Sequence, residues 1–288
     1  GLAAAFEEFC RQTDPAGFVV TCTDNPGTYE LAGKLRASGL TVYTYGEAED
    51  ADLRVTEITT TAGGARYLAT LDGTALGEIS LPVPGKFLAL NSAAALLTAI
   101  KLGIEVSSVA ESLATFPGVR RRFELKGTVA GVRVYDEYAY HPVSMAGALE
   151  TLRAVAGDGQ LIVVFQPYRM YRTRDFQTEI AAALAIADQA VILEVFGPGE
   201  VREPGEGGAA LTTAVPLPSR HKVFVPSWDD VPREVVRRAR EGDVVVTMGA
   251  PPISMMGDQL LEALADAPVP PVRAVDDGSY APRHAASE

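Results

Sequence analysis

Three runs of consecutive aliphatic residues in the second half of this 288-residue chain constrain its fold most strongly. The runs LIVVFQ, AVILEVF and VVVTMG begin at Leu161, Ala190 and Val244, and helical stretches separate them. Strands buried on both faces read as continuous Val, Ile and Leu rather than as alternating apolar and polar residues. Such strands between helices predict a doubly wound, mainly parallel α/β sheet.

The first part of the chain has its own alternation of short strands and helices. FVVTC and LTVYTYG flank the helical stretch YELAGKLRASG, which predicts a βαβ unit. An Asp72-Gly73 pair between two strand-like runs then predicts a β-hairpin. Further on, Asn91 or Ser92 is expected to cap a buried, alanine-rich helix.

The expected domain boundary lies at Pro117-Gly118, because this turn-forming pair precedes three arginines and a new strand. It predicts one domain in residues 1–117 and a second in residues 118–266. Residues 267–288 are rich in proline and have no apolar periodicity, so we expect a disordered tail there.

Composition excludes several classes of protein. The net charge of −12 argues against a nucleic-acid partner, and no apolar run approaches the roughly 18 residues of a membrane span. The two cysteines, Cys10 and Cys22, have no CxxC spacing, so neither a metal site nor redox chemistry is expected. An acidic first segment does not resemble a signal peptide, and we predict a cytoplasmic protein.

The segment YDEYAYHPVS concentrates polar groups at the end of a predicted strand. Pro142 suits the first position of a helix and would make His141 the N-cap residue. Tyr138, Tyr140 and His141 would then face the carboxyl edge of a parallel sheet, where ligands bind. The alternative is a capping loop in which the tyrosines pack and the histidine satisfies backbone groups.

A second strand end carries a basic cluster in this otherwise acidic chain. Arg169, Arg172 and Arg174 follow LIVVFQ, and the planar fork of arginine matches carboxylate and phosphate oxygens. The cluster therefore suggests an anionic ligand, against the alternative of a solvated surface run. Arg120–Arg122 at the domain junction are open to the same two interpretations.

Four segments, FPGVRRRFE, YDEYAYHP, QPYRMYRTRD and VVVTMGA, occur in an order and at separations that resemble the carboxyl-terminal part of the Mur ligases. The resemblance covers most of the chain up to Ala265. It implies that residues 1–117 are the remainder of a central ATPase-type α/β domain. Residues 118–266 would form a Rossmann-like, doubly wound C-terminal domain.

The resemblance implies an ATP-dependent amide ligase of peptidoglycan precursor synthesis. Such an enzyme activates a carboxylate as an acyl phosphate with ATP and magnesium, and joins an amino acid such as L-alanine to UDP-N-acetylmuramate. Its partners are small molecules, a UDP-sugar acid and an amino acid. The phosphate loop, the magnesium-binding carboxylate and the UDP site are expected upstream of Gly1, on a longer or a separate chain. We therefore expect these residues alone to be inactive.

The resemblance also assigns roles to individual residues, and it places no metal ligand in this chain. By position in the family's motifs, the catalytic residues are Arg121 and His141, the substrate-binding residues are Tyr138, Arg169 and Arg172, and the nucleotide-binding residues are Asn91 and Asp136.

Several positions depart from the family pattern. Tyr140 and Tyr168 stand where the family has histidines, Phe87-Leu88 replaces a His-Asn pair associated with nucleotide binding, and Pro251-Pro252 replaces Gly-Asp. The proline pair also removes two backbone N–H donors. These departures support a second hypothesis, a non-catalytic or divergent module that binds an anionic ligand or a partner.

Overall fold

The computed structural model describes residues 1–201, 203 and 205–267. The chain divides into two compact units, Gly1–Gly118 and Val119–Glu288. The predicted disordered tail lies outside the described residues from position 268 onward. Within the described ranges, no helix combines the length and the apolar character that crossing a bilayer requires.

The first unit is built on a five-stranded sheet with the order β1-β2-β3-β4-β5. The first three strands are parallel, and β3, β4 and β5 form an antiparallel meander. The strands are β1 (Val19–Cys22), β2 (Val42–Gly46), β3 (Leu53–Thr61), β4 (Gly64–Leu71) and β5 (Thr74–Leu81). The helices are α1 (Leu2–Cys10), α2 (Pro26–Ala37), α3 (Lys86–Lys101) and α4 (Val106–Ala114).

The predicted βαβ unit and hairpin are both present, but the predicted start of α3 is wrong. The helix begins at Lys86 after Gly85, and Asn91 and Ser92 lie inside it. The Ser92 hydroxyl donates to the carbonyl of Ala89, one turn back, at 2.7 Å. A short polar side chain satisfied by its own helix has no need to cap one.

In the described part of the second unit, six strands form a sheet with the order β10-β9-β8-β11-β7-β6. All neighbours are parallel except β6 and β7. The strands are β6 (Glu124–Val129), β7 (Val132–Glu137), β8 (Leu161–Gln166), β9 (Gln189–Ile192), β10 (Lys222–Phe224) and β11 (Val244–Gly249). The helices are α5 (Pro142–Ala156), α6 (Met170–Asp175), α7 (Gln177–Leu184), α8 (Gly208–Ala214), α9 (Val231–Arg238) and α10 (Met256–Asp266).

The predicted α/β class is confirmed, because helices cover both faces of this sheet. One face packs its alternate strand residues, such as Ile162 and Val245, against α9 and α10. The other face contacts α5 at β8 and β11. Every residue of β8 and of β11 is buried, which explains why these strands read as unbroken aliphatic runs.

Gly249, the last residue of β11, has φ +137°, and an added Cβ would lie 2.5 Å from the backbone oxygen of Gln166. We expect Gly249→Ala to lower the free energy of unfolding of the second unit by more than about 3 kcal/mol, because backbone strain and a clash add together. Urea unfolding followed by the fluorescence of Trp228, the only tryptophan, measures this change.

The matched control is Gly242→Ala, just before the other end of β11. There φ is +89°, but no atom lies within 4 Å of the added Cβ. This substitution should cost about 1–2 kcal/mol, the cost of a left-handed backbone alone. Equal costs for the two substitutions would contradict the role given to the contact with Gln166.

Candidate functional site

The carboxyl ends of β7, β8 and β11 lie side by side in the second unit. Strand β11 lies between the other two, with Met248 opposite Glu137 and Gly249 opposite Gln166. The chain crosses the sheet in one direction from β6 to β10 and then turns back, so that β11 enters between β7 and β8. Strands laid down in opposite directions across the sheet therefore meet at this edge. Ligands of open α/β sheets bind at such a position.

Arg121 is fixed across the ends of β7 and β11. Its Nε donates to Oδ2 of Asp136 at 3.1 Å, and its Nη2 donates to the carbonyl of Gly249 at 2.9 Å. Its own backbone has φ +63° and accepts a hydrogen bond from the N–H of Tyr138. Two predicted site residues, Arg121 and Asp136, are therefore ion-paired, and the guanidinium is held in one place.

Asp136 is almost fully buried, with 1% of its surface exposed. Its second carboxylate oxygen accepts a hydrogen bond from the hydroxyl of Thr247 at 2.9 Å. Both oxygens thus have protein donors, and these contacts suit Asp136 for orienting Arg121. The nucleotide contact expected of Asp136 stays a prediction.

Glu137 forms a second buried pair with the next arginine. Its carboxylate accepts hydrogen bonds from Arg122 at 3.3 Å and from the backbone N–H of Phe123 at 3.1 Å. Burial raises the pKa of the Glu137 carboxyl above its ordinary value, and the Phe123 N–H and the Arg122 charge only partly oppose this shift. Glu137 was not among the predicted site residues.

A row of aromatic rings continues from this ion pair along the edge. Tyr138 meets Tyr140 edge to face at 5.4 Å, and Tyr140 meets Tyr168 at 5.5 Å between ring centroids. Tyr168 in turn stacks on Phe196. Each tyrosine carries an arginine at cation–π distance: Arg121 at 4.6 Å over Tyr138, Arg172 at 4.8 Å over Tyr140 and Arg169 at 5.2 Å over Tyr168.

The two predicted substrate arginines differ in what holds them. Arg169 has φ +67° and reaches the 196–200 loop, where its Nη1 donates to the Pro198 carbonyl at 3.4 Å and lies 3.9 Å from Glu200. In contrast, Nη1 of Arg172 is buried and has no hydrogen-bond partner among the described residues. Gln166, at the end of β8, similarly has an unpartnered buried Oε1.

The remaining predicted residues take no part in the ring contacts of this row. His141 is the N-cap of α5, as expected, but its side chain makes no capping bond and packs against Phe176 at 5.3 Å. Asn91 is exposed on α3 in the first unit. Arg174 pairs with Asp175 and Glu206 at the surface.

Among the residues that the structure describes, no group of three or more His, Cys, Asp or Glu side chains could hold a metal ion.

Comparisons with models of known protein families identify the class of protein to which this chain belongs. Residues 121–251 match the Mur ligase glutamate ligase domain, and residues 1–99 match the Mur ligase middle domain. The chain belongs to the Mur ligase family, and its predicted resemblance to that family is confirmed.

One relative of known name and two solved structures show how much of a Mur ligase this chain spans. The chain is 66% identical over 264 residues to the UDP-N-acetylmuramate–L-alanine ligase of Salinispora arenicola, covering 92% of this chain and 52% of that protein. The chain thus spans about half the length of this relative. Among solved structures, the UDP-N-acetylmuramate–alanine ligase MurC of Thermotoga maritima has a TM-score of 0.73 at 24% identity, over 90% of this chain and 54% of that one. A MurF ligase of the same organism in complex with ADP has a TM-score of 0.67 at 18% identity, over 89% and 56%.

The raised pKa of Glu137 makes a prediction about stability. The folded state holds this proton more tightly than the unfolded state, so the carboxyl stabilises the fold below its unfolded pKa and loses that contribution as pH rises through the folded pKa. Glu137→Gln mimics the protonated form permanently. It should therefore gain stability relative to the original protein as pH rises above the ordinary glutamate pKa of about 4.

Urea unfolding at a series of pH values measures this difference. Glu150→Gln, on an exposed position of α5, controls for the loss of a negative charge as such. The prediction is contradicted if Glu137→Gln lowers the free energy of unfolding as pH rises. It is also contradicted if Glu150→Gln raises it equally.

Proposed function

We propose that this chain is the carboxyl-terminal portion of an ATP-dependent amide ligase of peptidoglycan precursor synthesis. The enzyme would join L-alanine to UDP-N-acetylmuramate through an acyl phosphate. The observation that carries the proposal is the 66% identity, over 92% of the chain, to a relative that bears this activity in its name. We assign residues 1–117 to the central domain and residues 118–266 to the C-terminal domain. The cytoplasmic location stays a prediction.

The arrangement at the sheet edge supports the proposed roles. Arg121 would meet the transferred phosphoryl group, because its two bonds to Asp136 and Gly249 use only part of its N–H donors. Asp136 would orient Arg121. A guanidinium held before the reaction stabilises negative charge in the transition state without further reorganisation.

The middle of the aromatic row, at Tyr140, would receive the amino acid. Arg172 has an unpartnered Nη1 to offer to a carboxylate, and Tyr138 forms the wall between Arg121 and Tyr140. Arg169 would secure the 196–200 loop beside the site. His141 stands at the start of α5, where backbone N–H groups favour an anion, and would act near the acyl centre.

ATP would supply the phosphoryl group that activates the carboxylate, with magnesium as its counter-ion. The ADP in the related MurF structure supports a nucleotide in this family. Asn91 is the nucleotide contact we propose in the first unit, where its exposed position on α3 leaves its side chain accessible. The phosphate loop and the magnesium ligands would belong to the part of the relatives that this chain does not span.

A second candidate function is a module that binds an anionic ligand without turning it over. Lys86 and Phe87-Leu88 occupy the motif associated with nucleotide binding, and Lys86 is ion-paired with Glu47 at 2.5 Å. A lysine that is already paired has less to offer a nucleotide phosphate. Pro251-Pro252, after β11, adds to this argument because proline has no N–H to donate.

A chimera tests the two candidates directly. The amino-terminal part of the S. arenicola relative would be joined to this chain at the matched position. We expect phosphate release that requires ATP, magnesium, UDP-N-acetylmuramate and L-alanine together. A folded chimera that binds these substrates but releases no phosphate would overturn the ligase proposal in favour of the binding module.

The same chimera tests the amino-acid site. Arg172→Ala should lower kcat/KM for L-alanine by about 10- to 100-fold, because a charge-assisted hydrogen bond to the carboxylate is lost. Arg174→Ala removes a guanidinium from the same short helix, where it pairs with Asp175 and Glu206. This control should leave kcat/KM unchanged, and equal effects of the two substitutions would reject the assignment.

A further inference from the structure

The guanidinium of Arg172 is held by aromatic rings rather than by acidic partners. Its central carbon lies 4.8 Å from the ring centre of Tyr140 and 5.9 Å from those of Tyr168 and Tyr171. Cation–π attraction acts within about 6 Å and strengthens steeply at closer approach. Tyr140 is therefore the ring that contributes most to the position of this cation.

Tyr140 is itself fixed from two sides. Its ring packs edge to face between Tyr138 and Tyr168, and Tyr168 is backed by Phe196 through a stacked contact. Tyr171, by contrast, is 48% exposed. A ring supported by neighbours presents a fixed face to the cation, whereas an exposed ring can rotate away.

One side of the guanidinium is left without an acceptor. Nη1 of Arg172 is buried, and no hydrogen-bond acceptor reaches it among the described residues. Aromatic faces attract the charge but accept no strong hydrogen bond. A buried charged donor in this state is costly unless a ligand satisfies it, and the fork of a guanidinium fits a carboxylate in particular.

We infer that Tyr140 is a positioning residue for Arg172, and that the ring of Tyr140, held edge to face against Tyr168, orders the guanidinium before a carboxylate binds to it. The inference deepens the proposed function. That the carboxylate belongs to an amino acid rests on the proposed function. The ordering of Arg172 by Tyr140 rests on the contacts alone. Such preorganisation removes the entropy cost of fixing a long side chain on binding.

Nuclear magnetic resonance of the 288-residue chain tests the ordering. The Nε–Hε signal of Arg172, assigned by its absence in Arg172→Lys, should show a high heteronuclear NOE, as a rigid group does. Tyr140→Phe keeps the ring face and should keep this NOE. Tyr140→Leu keeps apolar volume without a π face, and the NOE should fall toward the value of an exposed arginine such as Arg120.

Binding of L-alanine to the same proteins tests the consequence, with L-alaninamide as the probe that lacks the carboxylate. We expect L-alanine, but not L-alaninamide, to shift the Arg172 signal. Its dissociation constant should rise about fivefold in Tyr140→Leu and stay unchanged in Tyr140→Phe. Tyr171→Leu, which removes the exposed ring at the outer distance, should change the NOE and the affinity little.

Three results would overturn the inference: a mobile Arg172 in the original chain, a rigid Arg172 in Tyr140→Leu, or equal effects of Tyr140→Leu and Tyr171→Leu. If L-alanine does not bind to the original chain, the proposed carboxylate site at Arg172 is rejected. Thermal unfolding of each variant shows whether it is folded, and recovery by Tyr140→Phe separates ring chemistry from loss of structure. An inactive chimera would count against the ligase proposal. It would not affect the ordering of Arg172, which is measured separately by the NOE.

Discussion

Strand β11 is the element on which the second unit depends. It enters the sheet last, between β7 and β8, and hydrogen-bonds to both along its whole length. It can do so because all of its residues tolerate burial, the hydroxyl of Thr247 being hydrogen-bonded to Asp136, and because Gly249 has no Cβ that would clash with the backbone of Gln166. Its insertion brings the ends of β7 and β8 to one edge, and with them the arginines and tyrosines of the site.

At this edge an acidic protein builds a locally basic surface. The net charge of the chain is −12, yet Arg121, Arg169 and Arg172 all lie along one row of rings. Ion pairing with buried Asp136 fixes the first of these arginines, whereas aromatic contact fixes Arg172. The ion pair neutralises the charge of Arg121, whereas aromatic contact leaves the charge of Arg172 in place. The two arginines therefore differ in what they can offer an anion.

Much of this arrangement could be predicted from local sequence, and the errors have physical causes. The start of α5 at Pro142 and the aliphatic strands followed from short-range rules. The start of α3 did not, because Asn91 and Ser92 suit a cap in isolation but Ser92 is satisfied within its helix. The partnership of Arg121 with Asp136, and of Tyr168 with Phe196, joins residues well separated along the chain, which no local rule reaches.

The sequence by itself determined the α/β class and the family, because apolar periodicity and motif order are local properties. It also singled out Arg121, Asp136 and Arg172, but not Glu137 or Thr247. Only the tertiary structure decided which charges neutralise each other and which remain available. Asp136 and Glu137 are adjacent in the chain yet pair with different arginines, and Nη1 of Arg172 is buried without a hydrogen-bond partner among the described residues. Burial and strand register determine these outcomes, and both arise when the sheet assembles.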